Sequence, residues 1–102
     1  MQKYDVMILK SAEETIRKNF EYIAKDLENE PAAYAHTIDI YKKIQALGDF
    51  PEIYAPYDEF PEFRVVRARQ YRIFYKVDKE KRTVYVTNIM HSHQDPSKLR
   101  LE

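Results

Sequence analysis

The spacing of hydrophobic residues along this chain changes repeatedly, and each change marks an element. Tyr4, Val6 and Ile8 alternate with Asp5, Met7 and Leu9, which predicts a short, largely buried strand. From Ser11 the period lengthens. Ile16, Phe20, Ile23 and Leu27 recur at intervals of four, three and four, the apolar stripe of a helix of about four to five turns. Ser11 and Glu14 have the capping-box pattern, in which each side chain satisfies an orphan amide of the first turn. Asn29-Glu30-Pro31 predicts a break and a restart, because Asn caps well and Pro is tolerated in the first turn of a helix. The second helix carries Tyr34, Ile38, Tyr41, Ile44 and Leu47 on one side, with Gly48 placed as its left-handed terminator. So short a connection folds the two helices back antiparallel.

Residues 49–62 hold three prolines and follow neither period, so they read as an irregular loop lying on the body. Alternation returns at Phe63. Strands are expected at about 63–68, 71–78 and 83–90, joined by a tight Arg69-Gln70 turn and by Asp78-Lys79-Glu80-Lys81-Arg82. The residues from His91 onward read as a loop with a short extended or helical end. The order β-α-α-β-β-β predicts an α+β fold: an N-terminal strand, an antiparallel helical hairpin and a three-stranded antiparallel meander in one twisted sheet. The helices cover one face of that sheet, and the other stays open. Tyr34, Tyr41, Tyr71 and Tyr75 all fall on apolar stripes and are expected in the core.

Composition narrows the class. The 102 residues, 44% of them hydrophobic, suit a single domain over 1–102 with one modest core. The absence of Cys excludes disulfides and thiolate chemistry. No signal-like start or membrane-length apolar run is present, which points to a cytoplasmic protein without a membrane partner. The net charge of zero conceals an asymmetry. Residues 1–62 carry 7 Lys+Arg against 13 Asp+Glu, and residues 63–102 carry 10 against 4. In the meander, Arg, Lys and aromatic residues alternate with aliphatic ones, which gives the sheet a cationic face. Such a face is either a contact for an anionic polymer or an ordinary solvated surface. The oppositely charged halves also have the means to complement each other within the fold or between copies.

Several segments, taken in order, carry a resemblance to a known family. Ser11-Ala12-Glu13-Glu14 opens the first helix, Asn29-Glu30-Pro31-Ala32-Ala33 opens the second, and Ile44-Gln45-Ala46-Leu47 is followed by a proline. Then come the Tyr71-Arg72-Ile73-Phe74-Tyr75-Lys76-Val77 strand and Ile89-Met90-His91 leading into Asp95. In this order and spacing, almost the whole chain resembles the RelE/ParE superfamily of bacterial toxin-antitoxin toxins. The resemblance implies a toxin neutralised by a cognate antitoxin whose disordered segment folds on binding. It implies contact with operator DNA only through that antitoxin, and no cofactor. RelE-like members cleave mRNA on the ribosome, whereas ParE-like members poison DNA gyrase and have lost most of the catalytic set.

The resemblance also singles out residues. Arg72 falls on the family's strand arginine and is the first candidate for a phosphate contact, since a guanidinium holds two phosphate oxygens at once. A structural arginine bridging to a carboxylate such as Asp78 is the plain alternative. Arg64 and Arg67 both lie near the family's basic positions, and strand alternation puts them on opposite faces, so at most one stands beside Arg72. Where the RelE pattern places a lysine, this chain has Val65 and Val66. The common ParE-like ending His-Gly-Arg-Arg-Asp reads His91-Ser92-His93-Gln94-Asp95. Either the chemistry has moved to His91 or His93, whose imidazoles suit acid/base work near neutrality, or none is left. His91, His93 and Asp95 also admit a metal reading, disfavoured because ligands from one short segment make poor tetrahedral geometry. His36 reads as a surface or helix-packing residue.

Three functions follow as alternatives. The slightly favoured one is ParE-like growth inhibition by binding a target such as DNA gyrase. The second is a ribosome-dependent mRNA endoribonuclease that uses Arg72 with Arg67 or Arg64 and one of the two C-terminal histidines. The third is a degenerate, non-toxic member that retains only antitoxin binding.

Overall fold

The computed structural model describes residues 3–92. Strand β1 (Asp5–Ile8) leads into helix α1 (Lys10–Glu21), a π-helical turn (Tyr22–Asp26) and helix α2 (Glu30–Ala46). Strands β2 (Arg64–Ala68), β3 (Tyr71–Asp78) and β4 (Thr83–His91) follow. The α+β architecture is the predicted one, with the strands in the order β1-β4-β3-β2. β2, β3 and β4 form the antiparallel meander, but β1 pairs parallel to β4, Val6 opposite Val84 and Ile8 opposite Val86. The sheet is therefore mixed. A parallel pair needs a long crossover, and the helical hairpin supplies it.

The core lies between that hairpin and one sheet face. Ala12, Ile16, Ile40, Ile44 and Leu47 meet Ile73, Tyr75, Val84 and Val86 there. Helix α2 is rotated from the orientation that hydrophobicity predicts, whereas α1 keeps Ile16 and Ile23 of its expected stripe buried. Ala12 and Ala33 are completely buried, whereas Tyr34 is 56% exposed and Ile38 49%. Small residues let the elements approach closely, and the larger side chains are turned outward. Tyr34 is thus not a core residue; its ring meets Phe20 edge-on at 5.0 Å. Tyr75 is fully buried, and Tyr41 and Tyr71 are half-buried. Leu27 also leaves its expected stripe. In the π-helical turn the Leu27 N–H donates to the Tyr22 carbonyl at 3.1 Å, five residues back, and this wider turn carries Leu27 into solvent.

One of the two predicted N-caps forms. The Asn29 side chain accepts the Ala32 N–H at 3.1 Å, with Pro31 in the first turn of α2. Helix α1 instead starts at Lys10 with Leu9 at its N-cap and no side-chain cap. Ser11 therefore lies inside the helix, where its carbonyl accepts the Thr15 hydroxyl at 3.1 Å. Gly48 is not left-handed either. Helix α2 ends through a tightened turn, with the Gly48 N–H donating to the Gln45 carbonyl at 3.1 Å. The carbonyl of buried Gly48 receives the N–H groups of Lys3 and Tyr4 at 3.1 and 2.9 Å. The missing Cβ allows that close backbone approach.

The far face of the sheet is not open throughout. The loop between α2 and β2 folds back so that Tyr57 and Phe60 pack over Phe63, Phe74 and Met90, a second small apolar cluster. Phe63 and Phe74 are fully buried in it. An irregularity in β4 then decides which side chains reach each face. Phe74 faces Asn88 and Tyr75 faces Val86, leaving Thr87 as an extra residue. The Thr87 hydroxyl donates to the Phe74 carbonyl at 3.3 Å. Alternation inverts at this bulge. Val84 and Val86 before it, and Ile89 and His91 after it, lie on the helix side; Thr83, Tyr85, Asn88 and Met90 lie on the far side. Among the described residues, no helix is long and apolar enough to cross a membrane.

Candidate functional site

On the far face, Arg67 of β2 and Arg72 of β3 are direct register partners. Such partners have Cβ atoms about 5 Å apart, so both side chains leave the same part of that face. Like charges placed opposite each other are unfavourable unless an anion lies between them, and guanidinium pairs match phosphate or carboxylate oxygens well. The aromatic cluster forms the floor beside them. The guanidinium carbon of Arg72 lies 5.5 Å from the Phe74 ring centre, and Lys76 Nζ lies 4.8 Å from that of Phe63. An electron-rich ring face attracts a cation, which fixes the direction of both side chains.

The other candidates lie elsewhere. Arg64 is opposite Tyr75, on the helix side, and its guanidinium donates to the Tyr54 carbonyl and reaches Glu52 at 3.5 Å. Its contacts hold the loop against β2. His91 also faces the helix side, as the partner of Tyr71, and the two rings meet edge-on at 5.5 Å. His91 Nε2 lies 3.2 Å from Gln70 Oε1. Burial, with a smaller contribution from Tyr22, raises the Tyr71 hydroxyl above its ordinary pKa. The sheet thus separates His91 from the Arg67–Arg72 pair. His93 lies outside the described residues, as does Asp95 of the metal reading. Among the described residues, no three His, Asp or Glu side chains gather into a metal-holding group.

Other residues at or near the basic face escaped the sequence reading. Arg67 also borders a cleft of about 530 Å³ between α2 and the β2 edge, where Lys42, Lys43 and Arg69 converge. Arg69 is held there by Asp39 at 2.6 Å. Lys42 and Lys43 belong to the acidic half of the chain, and only the docking of α2 beside β2 brings them to the basic meander. Asn88, opposite Phe74, is buried on the far face with Oδ1 lacking a hydrogen-bond partner. Its only sequence signal is an amide in an otherwise apolar strand.

A family model described as the ParE toxin of the type II toxin-antitoxin system parDE matches residues 6–96. The chain belongs to the ParE toxin family. It is accordingly a toxin of the type II toxin-antitoxin class, and the Arg67–Arg72 pair and His91 all fall within the matched region. No curated protein matches this ParE-family sequence at a significant level. Solved structures share its fold. The chromosomal ParDE system from P. aeruginosa superposes with a TM-score of 0.75 at 13% identity, covering 87% of this chain and 96% of that one. A mutant of the E. coli toxin RelE in the free state gives a TM-score of 0.64 at 20% identity, covering 91% and 86%. The RelBE2 toxin-antitoxin complex from Mycobacterium tuberculosis gives 0.59 at 18% identity, covering 89% and 93%. The fold of this ParE-family chain is thus shared with RelE.

Proposed function

We propose that this toxin inhibits growth by binding a macromolecular target such as DNA gyrase through its basic sheet face, and that a cognate antitoxin neutralises it. One observation carries this reading: among the described residues, the ladder neighbours of the Arg67–Arg72 pair on its own face are Val65, Phe74 and Met90, none of which titrates. Cleavage of RNA by its 2′-hydroxyl needs a group to take a proton and another to give one. Guanidinium groups remain protonated at any physiological pH, so they bind and stabilise charge without exchanging protons. The pair is equipped to hold an anionic surface.

Ribosome-dependent mRNA cleavage is the second reading. It is favoured by Lys76, which joins the two arginines on the same face and adds an amine to the phosphate-binding set. Induced expression with parallel assays separates the two. Binding without chemistry predicts loss of gyrase supercoiling activity, intact mRNA in a translation extract, and relief of both growth arrest and gyrase inhibition by Arg72→Ala. Cleavage at the ribosomal A site with unaffected supercoiling would overturn it in favour of the nuclease.

A further inference from the structure

On the helix side of the sheet, across from the basic face, the π-helical turn opens a cleft of about 510 Å³. That volume suits a small ligand. Among the described residues, no Lys, Arg, Asp or Glu lines it, so these residues offer no charge for a phosphate or another charged group. Its polar groups are amides, imidazoles and the Tyr22 and Tyr71 hydroxyls. Asn19 is only 9% exposed, its Oδ1 accepts the Tyr71 hydroxyl, and its Nδ2 has no partner. Turning the carboxamide over would leave the oxygen orphaned instead, so one end of this buried amide stays unsatisfied either way. His36 presents a second buried atom without a partner, Nδ1. Burial foremost, then the charge of Arg69, lowers its pKa against the opposing pull of Asp39, so the ring is a neutral imidazole with one donor and one acceptor. Tyr22, 53% exposed, stands at the rim as an aromatic surface, and Ile23 and Leu27 supply an apolar wall.

We infer that this cleft binds an uncharged, planar nitrogen heterocycle of nucleobase type, seated against the Tyr22 ring with a ring acceptor on Asn19 Nδ2. A purely apolar ligand would leave Asn19 and His36 unsatisfied, and a bare sugar would waste the aromatic rim and the apolar wall. A nucleobase combines a stacking face with acceptors at its edge. This site is separate from the basic face and does not depend on it.

The test titrates the full-length chain with adenosine, guanosine, cytidine and uridine while the imidazole signals of His36 and His91 are followed by NMR. Adenosine monophosphate and a short single-stranded oligonucleotide form further arms, which distinguish a free base from one carried by a polymer. The expected result is a saturable shift with at least one nucleoside below about 10 mM, no tighter with the monophosphate. Asn19→Ala should weaken it about tenfold, and Arg72→Ala should leave it unchanged. Tyr22→Ala changes an exposed rim residue and gives the same reading should Asn19→Ala fail to fold. Saturable binding of the oligonucleotide that is lost in Tyr22→Ala identifies a polymer as the source of the base. The inference is overturned if no nucleoside gives a saturable shift. It is equally overturned if the monophosphate tightens binding about tenfold and Arg72→Ala abolishes it, since phosphate recognition belongs to the other face.

Discussion

Arg67 and Arg72 stand opposite each other in the β2–β3 ladder, two positive side chains held together on one face of the sheet. A pair kept for structure alone would be a poor choice, because each weakens the other's contribution to stability. Arg67→Gln is therefore expected to leave folding stability unchanged or to raise it by up to about 0.5 kcal/mol, while reducing growth inhibition. Urea unfolding together with induced growth curves checks this. Full toxicity in Arg67→Gln would show that the pair does not work as a unit.

Stability should fall at alkaline pH through Tyr75. Its hydroxyl donates to the Pro51 carbonyl at 3.0 Å, and burial pushes its pKa from 10.0 up to about 12, with the nearby Arg64 charge opposing that rise. The folded protein holds this proton more tightly than the unfolded chain does. The contribution is thus complete below the unfolded pKa and is lost as pH climbs through the folded one. Tyr71 and Tyr41, both raised mainly by burial, act in the same direction. The urea midpoint is expected to decline from about pH 10 to pH 12, with a shallower slope in Tyr75→Phe.

His36 gives the acid counterpart. Its pKa is lowered from 6.5, so on acidification the unfolded chain takes up the proton first and the folded state loses ground. A His36→Gln variant should lose less stability than the parent between about pH 6.5 and pH 5. Equal losses in the two proteins would refute the assignment.

The two helix starts predict opposite outcomes for similar substitutions. Asn29→Ala removes a cap that is formed and should cost about 1 kcal/mol. Ser11→Ala replaces a residue inside a helix by a better helix former and should change stability by no more than about 0.5 kcal/mol. Thermal or urea unfolding of the two variants makes the comparison.

The β2–β3 hairpin turns on Arg69, which has a φ of 55°. A non-glycine residue in this region costs about 1–2 kcal/mol, and the ion pair with Asp39 offsets part of that cost. Since each partner is partly exposed, the pair itself is worth at most about 1 kcal/mol. Arg69→Gly should therefore be close to neutral, whereas Asp39→Ala should be mildly destabilising.

The element order, the meander and the Asn29 cap were legible in the sequence because each rests on a local signal. The split between Arg64 and Arg67 followed equally from alternation within one strand. The rotation of α2 did not, since periodicity records which residues are hydrophobic but not which are small enough to sit at a close contact. Ala33 won that competition over Tyr34 and Ile38. The placement of His91 was hidden for a different reason. Uninterrupted alternation along β4 would set it on the face of Arg72, and nothing in the composition of the strand announces that Thr87 stands outside the count.

That single uncounted residue has a genetic consequence. Deleting the Thr87 codon would close the bulge and leave every side chain of β4 on its present face, because Val86 and Asn88 already oppose the adjacent β3 residues Tyr75 and Phe74. Ile89 and His91 would stay on the helix side, and Asn88 and Met90 would stay on the arginine face. Within a regular ladder a one-codon change in length readdresses every side chain downstream of it, whereas a bulge absorbs that codon outside the count. In this sheet, a gene shorter by that one codon would still encode two arginines on one face and an imidazole on the other.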